Sequence, residues 1–282
     1  MADALTPPRP VAAPRRHGRA GRLGLRTVAV LYIGILVAVP LALVLARTFQ
    51  QGWSVFWEAI STPDAVHAFR LTAEIALMAV AINTVFGIGV ALLLARYRFP
   101  GRRLFNVLLD IPVSVSPIVV GLALVLVYGP TQGWFGPGLS DAGLQVIFAT
   151  PGMVLATCFV SLPLVVRELV PVLQEEGLDQ EVAARSLGAN AWQRFVRITL
   201  PTVRWALAYG VVLGLARAIG EYGAVRVVSG DVIGQTQTAT LRVGDLAEQG
   251  EPGDYQIALV LVLFAILCIV GISLLRPKEK KS

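Results

Sequence analysis

Two opposite charges stand inside a long apolar stretch of this sequence. Arg217 and Glu221 are four residues apart in a run that is apolar from about residue 203 to residue 228. On a helix this spacing places both side chains on one face, one turn apart. If the run crosses a membrane, such charges are costly and usually face a bundle interior or a water-filled pathway. Arg217 is therefore predicted either to line a route for an anion or to form a structural salt bridge with Glu221, and the sequence leaves both open.

Two serines lie between two prolines in a second apolar stretch. Ser114 and Ser116 are bracketed by Pro112 and Pro117. Because proline interrupts helical hydrogen bonding, the first turns of a span over residues 110–128 are not expected to be regular. Free N–H groups and hydroxyls at an interrupted helix start can bind an anion. The alternative is a proline kink with serines that allow close helix packing.

The sequence shows no pattern for metal or nucleotide chemistry. His17 and His67 are too few and too scattered for a metal site, and no metal is expected. Cys158 and Cys268 lie in apolar runs and are expected to behave as small hydrophobic residues. All lysines lie at the C-terminal end, so the phosphate-binding pattern G-x-x-x-x-G-K-[ST] is absent. No cofactor is expected in this chain, and if its function is driven by ATP, the nucleotide and its Mg²⁺ must be bound by another polypeptide.

The composition is that of a membrane protein. Hydrophobic residues make up 55% of the 282 residues and charged residues only 15%, against about 25% in soluble domains. The sequence also contains several long apolar runs. They predict membrane-spanning helices, since a backbone in lipid must satisfy its own hydrogen bonds. The predicted fold class is an all-α polytopic membrane protein with six transmembrane helices. The spans are predicted at residues 28–46, 71–95, 110–128, 148–170, 203–228 and 255–275.

Positive charge is concentrated on one predicted side of the membrane. Residues 27–276 form the predicted membrane domain, between an arginine-rich arm at residues 1–26 and a short tail at residues 277–282. The opposite loops hold few basic residues, namely Arg47, Arg70 and Arg242. By the positive-inside rule both termini are expected to be cytoplasmic. The net charge of +6 then reflects topology and contact with lipid, and no nucleic-acid partner is expected.

A polar segment at residues 178–201, here called the polar hairpin, separates the fourth and fifth predicted spans. Its arginines keep it out of hydrocarbon, and its apolar residues recur at helical spacing; these are Arg185, Arg194 and Arg197, and Trp192, Phe195 and Val196. Gly188 is predicted to divide it into two short helices, and Pro201 to begin the next helix. Such a hairpin either lies on the membrane surface or docks onto a partner.

The polar hairpin resembles the EAA loop of ABC-importer permeases. The family's glutamate falls on Val182, and Glu181 lies one residue earlier, about 100° around a helix. In that family the loop forms coupling helices that sit in a cleft of the cytoplasmic ATPase. The residues that this resemblance assigns to ATPase coupling are Glu181, Val182, Ala183, Ala184, Leu187, Gly188, Ile198, Leu200 and Pro201.

Two further stretches resemble the CysW-type permease of bacterial sulfate/thiosulfate ABC importers. They are DIPVSVSPIVVGLALVLVYG at residues 110–129 and ARAIGEYGAVRVVSG at residues 216–230, within a likeness that covers roughly residues 28–275. The resemblance implies a type I (MetI-like) permease fold in the bacterial cytoplasmic membrane, and a non-catalytic subunit that moves an anion by alternating access. It also implies a CysT-type permease partner, two CysA-type ATPase subunits and an extracytoplasmic sulfate/thiosulfate-binding protein.

Two other functions remain open at this stage. The first is a permease for molybdate or another oxyanion, which belongs to the same class. The second is an ATPase-independent channel or an intramembrane enzyme, for which Ser229 and His67 would be the catalytic candidates. No serine–histidine arrangement on facing spans favours that second function.

Overall fold

The computed structural model describes the chain from Arg19 to Leu275, and the part of the chain that it describes contains helices and no strand. The all-α fold class is therefore confirmed. The helices are α1 (Arg19–Phe49), α2 (Trp53–Ser61), α3 (Pro63–Arg96), α4 (Arg102–Ser114), α5 (Pro117–Tyr128), α6 (Gly136–Asp141), α7 (Thr150–Glu175), α8 (Asp179–Ser186), α9 (Ala191–Arg194), a π-helical turn (Phe195–Thr199), α10 (Leu200–Ile219), α11 (Gly223–Ser229), α12 (Ala239–Gln249) and α13 (Asp254–Leu275).

Five helical segments in the described range are long and apolar enough to cross a membrane. They are Arg26–Phe49, Pro63–Arg96, Thr150–Glu175, Ala191–Ile219 and Asp254–Ser273. A sixth crossing is formed if α4 and α5, which meet at an angle of 112°, count as one broken span. The described residues therefore contain five candidate membrane-spanning helices, or six if the bent pair is counted as one span.

The chain divides into two compact units, residues 1–47 and residues 48–282. In the first unit α1 begins at Arg19 and continues through Pro40. Residues 19–26 of the predicted arm are therefore helical, and the segment apolar enough to cross a membrane begins at Arg26. The rest of the arm and the tail at residues 277–282 lie outside the described residues.

Helices α3 and α7 form the centre of the second unit. The side-chain amide of Asn83 on α3 donates a hydrogen bond of 2.9 Å to the Ser161 hydroxyl on α7. A Cβ at Gly87 would lie 2.8 Å from Cγ1 of Val165, and one at Gly210 on α10 would lie 3.1 Å from the Val165 Cα. Three helices thus approach closely at positions where glycine leaves room for a neighbouring residue.

The third predicted span is broken near its start, as expected. Pro112 is inside α4, which continues to Ser114, and α5 begins at Pro117. Proline at the first position of a helix needs no N–H partner, and it holds the preceding Ser116 in an extended conformation. The bend of 112° between α4 and α5 confirms that the first turns over residues 110–128 are not regular, and Pro117 rather than Pro112 fixes the position of the break.

The fifth predicted span is shorter than expected. α10 ends at Ile219, three residues separate it from α11, and Glu221 lies in this gap. The prediction of a continuous helix over residues 203–228 is wrong. The apolar composition of residues 203–228 gave no sign of a break. The Glu221 carboxylate stabilises the break by accepting a hydrogen bond of 2.9 Å from the N–H of Ala224.

Proline also has different effects elsewhere in the bundle. α7 continues through Pro163 and Pro171, although proline removes a helical hydrogen bond at each position. Pro201 does not begin a new helix, because α9, the π-helical turn and α10 form one continuous segment. In the π-helical turn the N–H of Leu200 bonds to the carbonyl of Phe195. This wider turn accommodates a proline that has no N–H of its own.

The contact between α5 and α11 gives a test of the packing. A Cβ at Gly121 on α5 would lie 2.7 Å from Cβ of Val227 and 2.8 Å from the carbonyl oxygen of Ala224. We expect Gly121→Ala to destabilise the protein by about 1–3 kcal/mol, as overpacking does. The matched control is Gly89→Ala, because no atom lies within 4 Å of its added Cβ. Thermal unfolding of the purified chain in detergent measures both, and equal midpoints for the two variants would contradict this packing.

Candidate translocation and docking sites

The two helix breaks in the second unit lie side by side. A Cβ at Gly223, the first residue of α11, would lie 3.0 Å from Cβ of Pro117, the first residue of α5. The structure therefore brings the Ser114–Pro117 stretch next to the break that contains Glu221. The sequence had placed these two candidate segments on separate spans, with nothing to indicate that they meet.

The ion pair that the sequence spacing predicts is present. Nη1 of Arg217 lies 2.6 Å from Oε2 of Glu221, and Oε1 of Glu221 accepts the hydrogen bond from Ala224. The Glu221 side chain is 1% exposed and the Arg217 side chain is 38% exposed. Glu221 thus has two internal partners, whereas part of the Arg217 guanidinium faces outward and could meet an anion.

The two candidate serines occupy different environments. The Ser114 hydroxyl donates to the carbonyl of Asp110, one turn earlier in α4, at 3.2 Å. Ser116 precedes α5, and its carbonyl accepts hydrogen bonds from Val119 and Val120. Its exposed side chain makes no capping bond to α5. Ser116 is therefore the better placed of the two to bind a solute at the start of α5.

A second charged pair, half-exposed between α4 and α7, was missed by sequence reasoning. Arg167 on α7 forms an ion pair with Asp110 on α4. Both line a cavity of about 420 Å³ between α3, α4 and α7, together with Asn106 and Pro163. The sequence did show opposite charges in two predicted spans. Because the two residues are 57 positions apart, however, their spacing does not predict that they meet.

A third charged cluster surrounds Arg226 on α11. Its guanidinium contacts the carboxylates of Asp231 and of Asp245, the latter at 2.5 Å. The Gln237 amide donates to the other oxygen of Asp245 at 2.7 Å. Burial raises the pKa of the Asp231 carboxyl, the neighbouring Asp245 raises it further, and Arg226 partly offsets both effects. The cluster holds α11, the following loop and α12 together.

The polar hairpin exposes a large apolar surface. α8 and α9 lie on either side of Gly188, whose φ of +88° is in the left-handed region that favours glycine. Exposed fractions are 58% for Val182, 89% for Leu187 and 71% for Trp192. The Trp192 ring packs on that of Phe195, with centroids 5.7 Å apart. Leaving such side chains exposed on a charged segment is typical of a surface that binds another protein.

The other residues of the loop pattern are more enclosed. Ala183 and Pro201 are exposed, whereas Ala184, Ile198 and Leu200 are half-buried. The docking surface is therefore formed mainly by α8, Leu187 and α9. The Ile198–Pro201 part of the pattern belongs to the helical segment that leads into the bundle.

Glu181 points away from this exposed surface. Its Oε1 lies 2.9 Å from Nη2 of Arg96, at the end of α3, and accepts a hydrogen bond of 3.0 Å from the Thr199 hydroxyl. Nη1 of Arg96 donates to the carbonyl of Leu173 at 2.9 Å and to the carbonyl of Gly177. Sequence reasoning did not identify Arg96, which lies 85 residues from Glu181 along the chain.

The residues proposed for the enzyme alternative do not meet. Ser229 is fully buried and its hydroxyl accepts a hydrogen bond from the N–H of Asp231. His67 bonds instead to the carbonyl of Gln235 at 3.2 Å. Within residues 19–275, no group of three or more histidine, cysteine or acidic side chains is placed to hold a metal ion.

Comparison with known proteins gives one consistent family. The family model "Binding-protein-dependent transport system inner membrane component" matches residues 83–278. The chain is 45% identical over 257 residues to the sulfate transport system permease protein CysW of Synechococcus elongatus, covering 91% of this chain and 90% of the relative. It is 34% identical over 251 residues to the CysT permease of Escherichia coli, covering 89% and 90%.

A longer relative and a solved structure extend the comparison. "Sulfate permease 2, chloroplastic" of Chlamydomonas reinhardtii is 52% identical over 216 residues, which is 77% of this chain but only 58% of the relative's own length. The crystal structure of a bacterial alginate ABC transporter in complex with its alginate-bound periplasmic protein contains a chain of the same fold. The TM-score is 0.70 at 18% identity, and the match covers 90% of this chain and 91% of that one.

Proposed function

The chain belongs to the family of binding-protein-dependent transport system inner membrane components, and from this premise we propose that it is the permease subunit of an ATP-driven sulfate importer. It is a multi-pass membrane protein whose spans form part of the anion pathway. The chain performs no covalent chemistry. ATP hydrolysis belongs to a separate subunit, which also binds Mg²⁺.

The likeness to sulfate permeases supports sulfate as the substrate, with thiosulfate as a second substrate. Relatives that carry this name match nearly the whole chain, both for the CysW type and for the CysT type. Partly exposed Arg217 and the open start of α5 at Ser116 provide the kind of groups that an oxyanion needs, a guanidinium and free backbone or hydroxyl donors. A molybdate permease is the main alternative within the class.

The complete transporter requires further subunits. We infer a CysT-type permease as the second half of the pathway, two CysA-type ATPase subunits, and an extracytoplasmic binding protein that delivers the anion. The charge distribution supports an orientation with both termini and the polar hairpin in the cytoplasm. The helix breaks at residues 115–116 and 220–222 then lie within the bundle, on the path between the two faces.

The single observation that carries this proposal is the exposed apolar surface of the polar hairpin. Val182, Leu187 and Trp192 lie on a charged segment that is unsuited to burial in lipid. A cleft in an ATPase with an apolar centre would cover these side chains, and an acidic rim would complement Arg185 and Arg194. Closure of the ATPase dimer on ATP would then move the hairpin and, through it, the spans.

Substrate identity is tested with the reconstituted complex. Binding protein loaded with sulfate is expected to stimulate ATP hydrolysis by the assembled transporter and to support sulfate uptake into proteoliposomes. Binding protein loaded with molybdate serves as the comparison at equal concentration. Stimulation by molybdate alone would assign the chain to the alternative, and sulfate uptake by this chain without any ATPase would refute the importer function.

Docking is tested by trimming two side chains that are mostly exposed, one of which, Trp192, packs only part of its ring on Phe195. Trp192→Ala combined with Leu187→Ala is expected to weaken ATPase binding by about 30-fold or more, since a central interface tryptophan contributes about 2 kcal/mol or more. Membrane insertion and thermal stability are expected to remain unchanged. Trp134→Ala is the matched control, because Trp134 is 84% exposed but lies on the loop after α5. Copurification of the ATPase measures the effect, and equal recovery with both variants would place the docking site elsewhere.

The role of Arg217 is tested by neutralising the ion pair in steps. Arg217→Gln leaves the Glu221 carboxylate buried without its cation, which costs at most about 3–5 kcal/mol. Arg217→Gln combined with Glu221→Gln removes both charges and is expected to restore the fold. If Arg217 lines the anion route, the double variant is stable but still defective in sulfate uptake. Recovery of uptake in the double variant would identify the pair as a structural salt bridge.

A further inference from the structure

Four elements meet at the Arg96 side chain. Arg96 is the last residue of α3, and its guanidinium bonds to the carbonyls of Leu173 and Gly177 around the end of α7. It also pairs with Glu181 on α8. Glu181 in turn accepts the Thr199 hydroxyl from the π-helical turn that leads into α10. A single network therefore joins the polar hairpin to the ends of three membrane-spanning segments.

The network is enclosed. The Arg96 side chain is 11% exposed and the Glu181 side chain is 21% exposed. An ion pair shielded from water is screened less by salt than one on the surface, and it holds its geometry more firmly. The carbonyls around the end of a helix carry partial negative charge, so a guanidinium is favourably placed there. The planar Arg96 guanidinium thus donates hydrogen bonds both to the carbonyls at the end of α7 and to the Glu181 carboxylate on α8.

The internal bonds of Glu181 divide α8 into two functional faces. Val182, the next residue, is 58% exposed on the docking surface, whereas Glu181 lies about 100° away around the helix and is committed to Arg96. A force applied to the exposed face of α8 is therefore transmitted to α3 through a charged contact. The short α8 otherwise buries none of its residues, so its apolar packing alone would allow it to shift relative to the bundle.

We propose that the Arg96–Glu181–Thr199 network is the mechanical link by which movement of the docked hairpin reaches α3, α7 and α10. Arg96 is a positioning residue, and the link rests on the proposed function, because it acts only when an ATPase moves the hairpin. Breaking it uncouples ATP hydrolysis from transport in a complex that still assembles. This role is distinct from docking, which uses a different face of α8, about 100° away around the helix.

The experiment compares three variants of the link in the assembled complex. They are Glu181→Ala, the double variant Glu181→Ala with Arg96→Ala, and Thr199→Val, which removes only one hydroxyl. Asp179→Ala is the matched control, because Asp179 is an exposed acid in the first turn of the same helix. Four quantities are measured: ATPase copurification, basal ATP hydrolysis, stimulation by sulfate-loaded binding protein, and sulfate uptake.

We expect Glu181→Ala to retain copurification and basal hydrolysis within twofold of the wild type. In this variant, the stimulation of ATP hydrolysis by sulfate-loaded binding protein and the rate of sulfate uptake are both expected to fall by about tenfold. This lies within the range of about 5- to 150-fold that is typical of coupling between sites. The double variant is expected to lose at least as much stimulation and uptake as Glu181→Ala, since it also removes the Arg96 bonds to the carbonyls of Leu173 and Gly177. Thr199→Val gives a smaller loss in the same two quantities, and Asp179→Ala behaves as the wild type.

Two outcomes overturn the link. Unchanged stimulation in assembled Glu181→Ala and Thr199→Val complexes shows that the network transmits nothing. A parallel fall of copurification, basal hydrolysis and stimulation shows that the network only stabilises the fold. Failure of the wild-type chain to bind any ATPase is a separate result that refutes the proposed function, and the link with it.

Discussion

The close packing of α3 against α7 is the constraint on which the other features depend. Gly87 allows the Val165 side chain to approach the α3 backbone, and Asn83 fixes the register by a hydrogen bond to Ser161. With that register set, the end of α3 brings Arg96 to the carbonyls around the end of α7. The same register leaves the cavity that Arg167 lines further along α7. If α3 slipped by one turn along α7, the Asn83–Ser161 bond, the Arg96 contacts and the cavity would be lost together. Each of them depends on atoms of both helices or on the space between them.

The breaks in the helices follow a different physical rule. A backbone inside a membrane must find partners for its polar groups within the protein, and the gap between α10 and α11 meets this demand locally. Glu221 supplies a carboxylate to the N–H of Ala224, and its own carbonyl accepts the Thr240 hydroxyl at 2.8 Å. Arg217 then neutralises the buried charge. The break is thus stabilised by the same residues that are candidates for the anion route, so structural and transport roles overlap at this point.

Sequence patterns predicted what depends on composition and on short spacing. Apolar runs indicated the membrane helices, and the four-residue interval between Arg217 and Glu221 predicted their ion pair. The ends of helices were less predictable, because Pro112, Pro163 and Pro201 all proved compatible with continuous helix once neighbouring elements supported them. The Arg96 network could not be found from one sequence, since Arg96 lies 77 residues from Leu173 and 85 from Glu181 along the chain. Only packing brings such residues together, and no local pattern records it.

The position of a single acidic residue explains how the polar hairpin differs from the family pattern. With valine at residue 182, that position of α8 exposes an apolar side chain. With glutamate at residue 181, the carboxylate turns inward and bonds to Arg96 and Thr199. Under the proposed function, association with another subunit would depend on burial of Val182, Leu187 and Trp192, which is non-directional. The directional ionic contact is kept inside the chain, where it holds α8 against the end of α3. The proposed binding and the proposed transmission of movement would then use different faces of one short helix.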